Sequence, residues 1–162
     1  MKSLLLMRHA EAGAAKLGQG DRERVLSRHG HSQAKSIGKF LKRTKLAPDR
    51  IVCSAVIRAR ETTHDVVTAA GWSTAVAEDD TLYSATVDQL LELLSVQPEE
   101  CQRLLLVAHA PGIPELAAAL TTPGGRVALA CPPATLFHIE LECGQWDQVD
   151  TNTGVLRCLQ SA

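Results

Sequence analysis

The run Leu4-Leu5-Leu6-Met7-Arg8-His9 decides how the chain is read, because four consecutive apolar residues stop abruptly at a cation and an imidazole. Such a run is too short for a surface helix and suits a strand buried on both faces, as in the middle of a parallel sheet. The pattern returns at residues 104–108, again ending at a histidine, His109. A shorter version at residues 51–53 follows Pro48-Asp49 and leads to Ser54 and Arg58.

Working outward, each of these strands is followed by a helical pattern. Residues 32–43 place Ala34, Ile37, Phe40 and Leu41 on one helical face, and residues 59–70 end at Gly71, a natural C-cap. Residues 87–96 are amphipathic, and the 104–108 strand passes through Pro111-Gly112 into an alanine-rich helix at 115–120. The tail differs: residues 135–142 and 145–151 alternate apolar and polar around Gly144, which predicts a closing antiparallel hairpin. The expected fold is an α/β three-layer sandwich around a mainly parallel, mixed sheet, in one domain covering residues 1–162.

Composition agrees with a globular enzyme rather than a polyelectrolyte binder. At 162 residues one core is the default, burying roughly 68–70% of the unfolded surface. The net charge of −1 provides no global field toward nucleic acid or anionic lipid, so no partner of either kind is expected. The basic group Lys39, Lys42, Arg43 and Lys45 reads as the wet face of the first helix. Five scattered cysteines, none in a C-x-x-C pair, imply reduced thiols. The first apolar run is too short for a signal peptide or a membrane span, and the expectation is a cytoplasmic monomer.

In open parallel sheets the ligand site lies off the carboxyl ends of the strands. Three such ends deliver Arg8, His9, Ser54, Arg58 and His109 to one rim. Two guanidinium forks match the geometry of phosphate oxygens and leave an imidazole room to attack, so the chemistry implied is phosphoryl transfer. Arg28-His29-Gly30 repeats the dipeptide, but it precedes an amphipathic helix instead of following a buried strand, and Gly30 is read as part of the turn into that helix. There is no G-x-x-x-x-G-K-[ST], G-x-G-x-x-G or G-x-S-x-G segment, and His29 and His31 lack partners at metal-ligand spacing. No metal or cofactor is expected.

With these residues in place, the chain resembles the histidine phosphatase superfamily, the phosphoglycerate mutase-like fold. The resemblance rests on Leu4 to Glu11, on Arg24 to Ser27 with Gly30 to Ala34, on Cys53 to Ala59 with Glu61-Thr62, and on Leu106 to Gly112. The short length without a cap insertion is similar to the SixA-type phosphohistidine phosphatases. It implies His9 as nucleophile and Arg8, Arg58 and His109 as the phosphoryl pocket. Ala55, Ala108 and Ala110 stand where proline, glycine and asparagine are usual in that family, which bears on substrate preference.

The expected mechanism is attack by neutral His9, with a charged His109 and the two arginines on the phosphoryl oxygens, and Ser54 adding a hydrogen bond. A general acid is not identified by sequence: Glu78, Asp79, Asp80 and Glu11 are the candidates. A phosphohistidine leaving group accepts a proton easily near neutral pH, so a weak acid favours a phosphorylated protein, such as a phosphohistidine-bearing domain, as substrate. The alternatives are a small phosphorylated substrate, with Lys16, Arg22 and Arg24 as extra phosphate clamps of a mutase-like enzyme, and a non-catalytic module that binds a phosphorylated ligand.

Overall fold

The computed structural model describes residues 1–125 and 127–162. Six strands form one sheet in the spatial order β3-β2-β4-β1-β5-β6. These are β1 (Lys2–Arg8), β2 (Arg50–Ser54), β3 (Val76–Asp79), β4 (Arg103–Ala108), β5 (Leu136–Leu141) and β6 (Gly154–Gln160). The first four are mutually parallel, while β5 runs antiparallel to β1 and β6 antiparallel to β5. The mixed, mainly parallel sheet expected from the sequence is therefore the observed one.

Side-chain alternation along β1 builds the two cores. Leu4 and Leu6 join Leu104, Leu106, Phe137 and Trp146 on one face, whereas Leu5 and Met7 join Ile37, Leu41, Leu105 and Val107 on the other. Both sets are buried, which is why the strand reads as an unbroken apolar run. The helices α1 (Arg28–Arg43) and α2 (Ile57–Ala70) cover the second face, and α3 (Val87–Ser95) and α4 (Gly112–Thr121) cover the first. No helix among the described residues is long and apolar enough to cross a membrane.

Helix α1 starts at Arg28, four residues before the expected Ser32, because Ser27 is its N-cap and accepts from the Gly30 amide at 2.9 Å. Gly30 thus lies inside the first turn of the helix, and a Cβ there would stand 2.1 Å from the Glu11 carbonyl oxygen. Its role is close approach to the segment after β1. Gly38 does the same where α1 crosses α2, a Cβ being 2.5 Å from the Val66 carbonyl oxygen. Gly71 caps α2 in the left-handed region, at φ 72°.

One expectation needs correction, and one element was not foreseen. The second hairpin strand is residues 154–160, not 145–151; the earlier stretch folds as a 3₁₀ turn, Trp146–Gln148. Trp146 decides this, since its indole N–H donates to the Cys101 carbonyl at 2.7 Å and its ring is buried beside the Lys2 ammonium. The edge strand β3 and its pairing with β2 were absent from the sequence reading; its four residues alternate only between exposed and half-buried, too weak a pattern to register.

Candidate active site

The carboxyl ends of β1, β2 and β4 meet at a cavity of about 680 Å³. Its floor is fixed by backbone. The His9 amide donates to Ala108 (2.9 Å), the His9 carbonyl accepts from Ala134 (3.1 Å), and the Ala10 amide donates to Thr62 Oγ1 (3.0 Å). The nucleophile candidate is therefore held by the ends of two neighbouring segments and by α2.

His9 is buried, and its Nδ1 lies 2.8 Å from the Ala10 carbonyl oxygen. A carbonyl oxygen can only accept, so Nδ1 carries the hydrogen and Nε2 carries the lone pair. Arg58 Nε donates to that Nε2 at 3.2 Å. Burial pulls the His9 pKa down to about 4, with Arg58, Arg8 and Arg24 adding to the effect and the Ala10 hydrogen bond opposing it. Near neutral pH the imidazole is uncharged and its Nε2 is nucleophilic.

His109 follows β4, its ring centroid 5.0 Å from that of His9. Its Nε2 is 2.8 Å from Ser54 Oγ, and its buried Nδ1 has no partner among the described residues. Burial again lowers the pKa, to about 3, reinforced by His9 and Arg58. The charged His109 expected from sequence is thus not the form held by the free protein: a buried imidazole beside two guanidinium groups sheds its proton. Ser54 is completely buried and reaches His109 from behind instead of lining the cavity.

Arg8 and Arg58 both line the cavity. Arg8 Nη1 donates to the Cys131 carbonyl at 2.7 Å, while its buried Nε–H has no partner among the described residues. Arg58, in the first turn of α2, is nearly enclosed and gives both terminal nitrogens to Asp21.

The four acid candidates separate clearly. Glu78 pairs with Arg60 at 3.0 Å, Asp79 accepts from the Thr81 amide and hydroxyl, and Asp80 pairs with Arg22; none of the three lines the cavity. Glu11 does line it, with Oε1 accepting from Ser27 Oγ at 2.5 Å. Of the first-loop cations, Arg24 lines the cavity, Arg22 stacks over the Tyr83 ring at 4.7 Å, and Lys16 is exposed and away from the lining. Arg28 and His29, the repeated dipeptide, are exposed on α1, outside the cavity.

Among the lining residues that sequence reasoning missed are Asp21, Tyr83 and Glu115. Asp21 contacts Arg58, Arg24 and Tyr83, and Tyr83 meets His109 edge-on at 5.4 Å between centroids. Glu115 enters from the start of α4. Asp21 lies in an aperiodic loop, and nothing in its local sequence marks it; Tyr83, the chain's single tyrosine, was the one available signal.

Solved structures share this architecture. A candidate phosphohistidine phosphatase SixA from Nakamurella multipartitia is 29% identical over 98% of this chain and 95% of its own, with a TM-score of 0.85. The protein histidine phosphatase SixA complexed with tungstate superposes with a TM-score of 0.83 at 20% identity, covering 98% of this chain and 96% of that one. Mycobacterial glucosyl-3-phosphoglycerate phosphatase, complexed with VO3, gives a TM-score of 0.73 at 20% identity over the whole of both chains. These last two likenesses establish the fold. Residues 4–85, half of the chain and the part that carries Arg8, His9, Ser54 and Arg58, match the model of the histidine phosphatase superfamily (branch 1), and the chain belongs to that superfamily.

Proposed function

We propose that this protein is a phosphohistidine phosphatase in which His9 Nε2 attacks phosphorus in line, the leaving group departs, and water then hydrolyses the N–P bond to regenerate His9 and release inorganic phosphate. The observation that carries this reading is the fixed tautomer of His9: Nδ1–H is held on the Ala10 carbonyl, which leaves an uncharged Nε2 at the cavity beside two arginines. The unpartnered Arg8 Nε–H and the Arg58 fork are donors suited to the phosphoryl oxygens. An anion bound between them raises the pKa of His109 by direct charge attraction, so the charged form enters with substrate.

Glu11 is the one carboxylate among the sequence candidates that reaches the cavity, and a hydrogen bond from Ser27 already occupies one of its oxygens. A leaving group that takes its own proton, as an imidazole does, makes no demand on the carboxylates that line the cavity, Glu11, Asp21 and Glu115. That supports a phosphohistidine-bearing protein over a stable phosphate monoester as the substrate. Arginine charge neutralises the phosphoryl oxygens in this scheme, so no metal has a step assigned to it. We read the chain as one domain acting as a cytoplasmic monomer, in keeping with its free cysteines.

The test is parallel turnover of a phosphohistidine protein and a phosphoserine peptide. The reading predicts release of phosphate from the first at a rate at least about a hundredfold above the second, the range of one missing acid catalyst. Equal rates reject phosphohistidine selectivity in favour of a general phosphomonoesterase.

A further inference from the structure

The terminal nitrogens of Arg58 are already engaged. Nη1 donates to the Asp21 backbone carbonyl at 2.7 Å and Nη2 to its carboxylate Oδ2 at 2.9 Å, so one loop residue holds the whole fork. The same Oδ2 accepts from the Tyr83 hydroxyl at 2.7 Å, and Oδ1 accepts from Arg24 at 3.2 Å. The Tyr83 hydrogen bond, with those from Arg24 and Arg58, pulls the Asp21 pKa down to about 2, and the group is an anion at all physiological pH. Its side chain is nevertheless 47% exposed, on a loop whose regular structure near it is a single 3₁₀ turn, Asp21–Glu23.

Guanidinium forks bind carboxylate and phosphate with the same planar geometry, so a carboxylate and a phosphoryl group compete for one fork. The other acidic lining residues stand apart from it: Glu11 is tied to Ser27, and Glu115 is exposed at the start of α4. Among the described residues, Asp21 alone pairs with Arg58.

Resting on the phosphatase reading, we propose that Asp21 is a specificity-determining resident anion: its carboxylate occupies the Arg58 fork in the free protein, yields it to the phosphoryl group of the substrate, and reclaims it as inorganic phosphate leaves. The exchange leaves the displaced carboxylate with Arg24 and solvent, away from the Oδ2 position that Tyr83 anchors on Arg58, and it makes every oxyanion work against a built-in competitor. Free phosphate gains only the pocket donors, Arg8 and His109, whereas a phosphoryl group carried on a protein adds the contacts of its carrier, so the device selects carrier-borne phosphoryl groups and lowers product inhibition.

The experiment measures dissociation constants of orthophosphate and tungstate for the wild type, D21N, D21E and Y83F, together with product inhibition by phosphate during turnover. D21N, isosteric but uncharged, is expected to bind both oxyanions roughly tenfold tighter, a Coulomb effect discounted for the exposure of the side chain. Phosphate inhibition strengthens by a similar factor, and D21E, which keeps the charge, stays near wild type. Y83F keeps Asp21 but removes one of its anchors, so it tightens oxyanion binding by a smaller factor and decides the question if D21N fails to fold. Unchanged or weaker binding in folded D21N, or in Y83F where D21N is unfolded, overturns the role of Asp21 while leaving the phosphatase reading standing. A wild type that binds neither oxyanion defeats both.

Discussion

The Nε of Arg58 lies 3.2 Å from the Nε2 of His9, so the cation proposed to stabilise the phosphoryl group also points a donor at the lone pair of the proposed nucleophile. Replacing Arg58 by lysine keeps a charge but loses the planar fork and the Nε–H. Steady-state assays of R58K are expected to show kcat down by roughly 10²–10³, the usual cost of one preorganised donor. Near wild-type kcat would place Arg58 outside the chemistry.

Ser54 is proposed to act through His109, whose Nε2 it meets at 2.8 Å. Removing its hydroxyl leaves His109 Nε2 without a partner next to an Nδ1 that already has none. S54A is expected to lower kcat between roughly ten- and a hundredfold through a misplaced ring, with a smaller change in KM. Threonine at this position, which retains the hydroxyl, should recover part of the loss.

The depressed pKa of His9 sets an acid limb. With the proposed nucleophile neutral down to about pH 4, kcat/KM contributed by His9 is expected to be level from pH 7 to about 5 and to fall tenfold per unit below 4. A limb centred near 6.5 in the free enzyme would mean that His9 is solvated and unshifted.

Stability should fall with acid for the same reason. His9 and His109 have folded values of about 4 and about 3 against 6.5 when unfolded, so between these limits the unfolded chain binds more protons. Unfolding free energy therefore rises with pH from about 3 to 6.5, and the stabilising contribution is complete above 6.5. Urea unfolding at pH 7 and 5 should show the wild type losing more stability than a His9→Asn, His109→Asn double variant.

Close helix approach is tested by Gly38→Ala. A methyl group there meets the Val66 carbonyl oxygen at 2.5 Å and the Ala69 Cβ at 2.9 Å, so α1 and α2 have to separate. A loss of about 1–3 kcal/mol in urea unfolding is expected, against a gain if only helix propensity mattered.

The strands that carry the site were legible in the sequence because burial on both faces writes an unbroken apolar run, as in Leu4 to Met7 and Leu104 to Val107. The residues just past those runs, Arg8, His9 and His109, were legible for the same reason, and the structure brings them together with Arg58. Edge elements left weaker traces. β3 is short and half-exposed, and the tail hairpin was misplaced because Trp146 is anchored to Cys101 in a stretch that only imitates strand alternation. Asp21 was illegible on physical grounds: its importance comes from Arg58 and Tyr83, 37 and 62 positions away, and a loop residue has no period that encodes such partners.

The central claim is that His9 carries the phosphoryl group during turnover, and rapid quenching of a single turnover with a labelled phosphohistidine protein tests it most directly. The account predicts label on the wild-type protein that survives base and is lost in acid, maps to His9, and is missing from His9→Ala. Release of phosphate by the wild type with no labelled protein at any time, or label retained by His9→Ala, would contradict it.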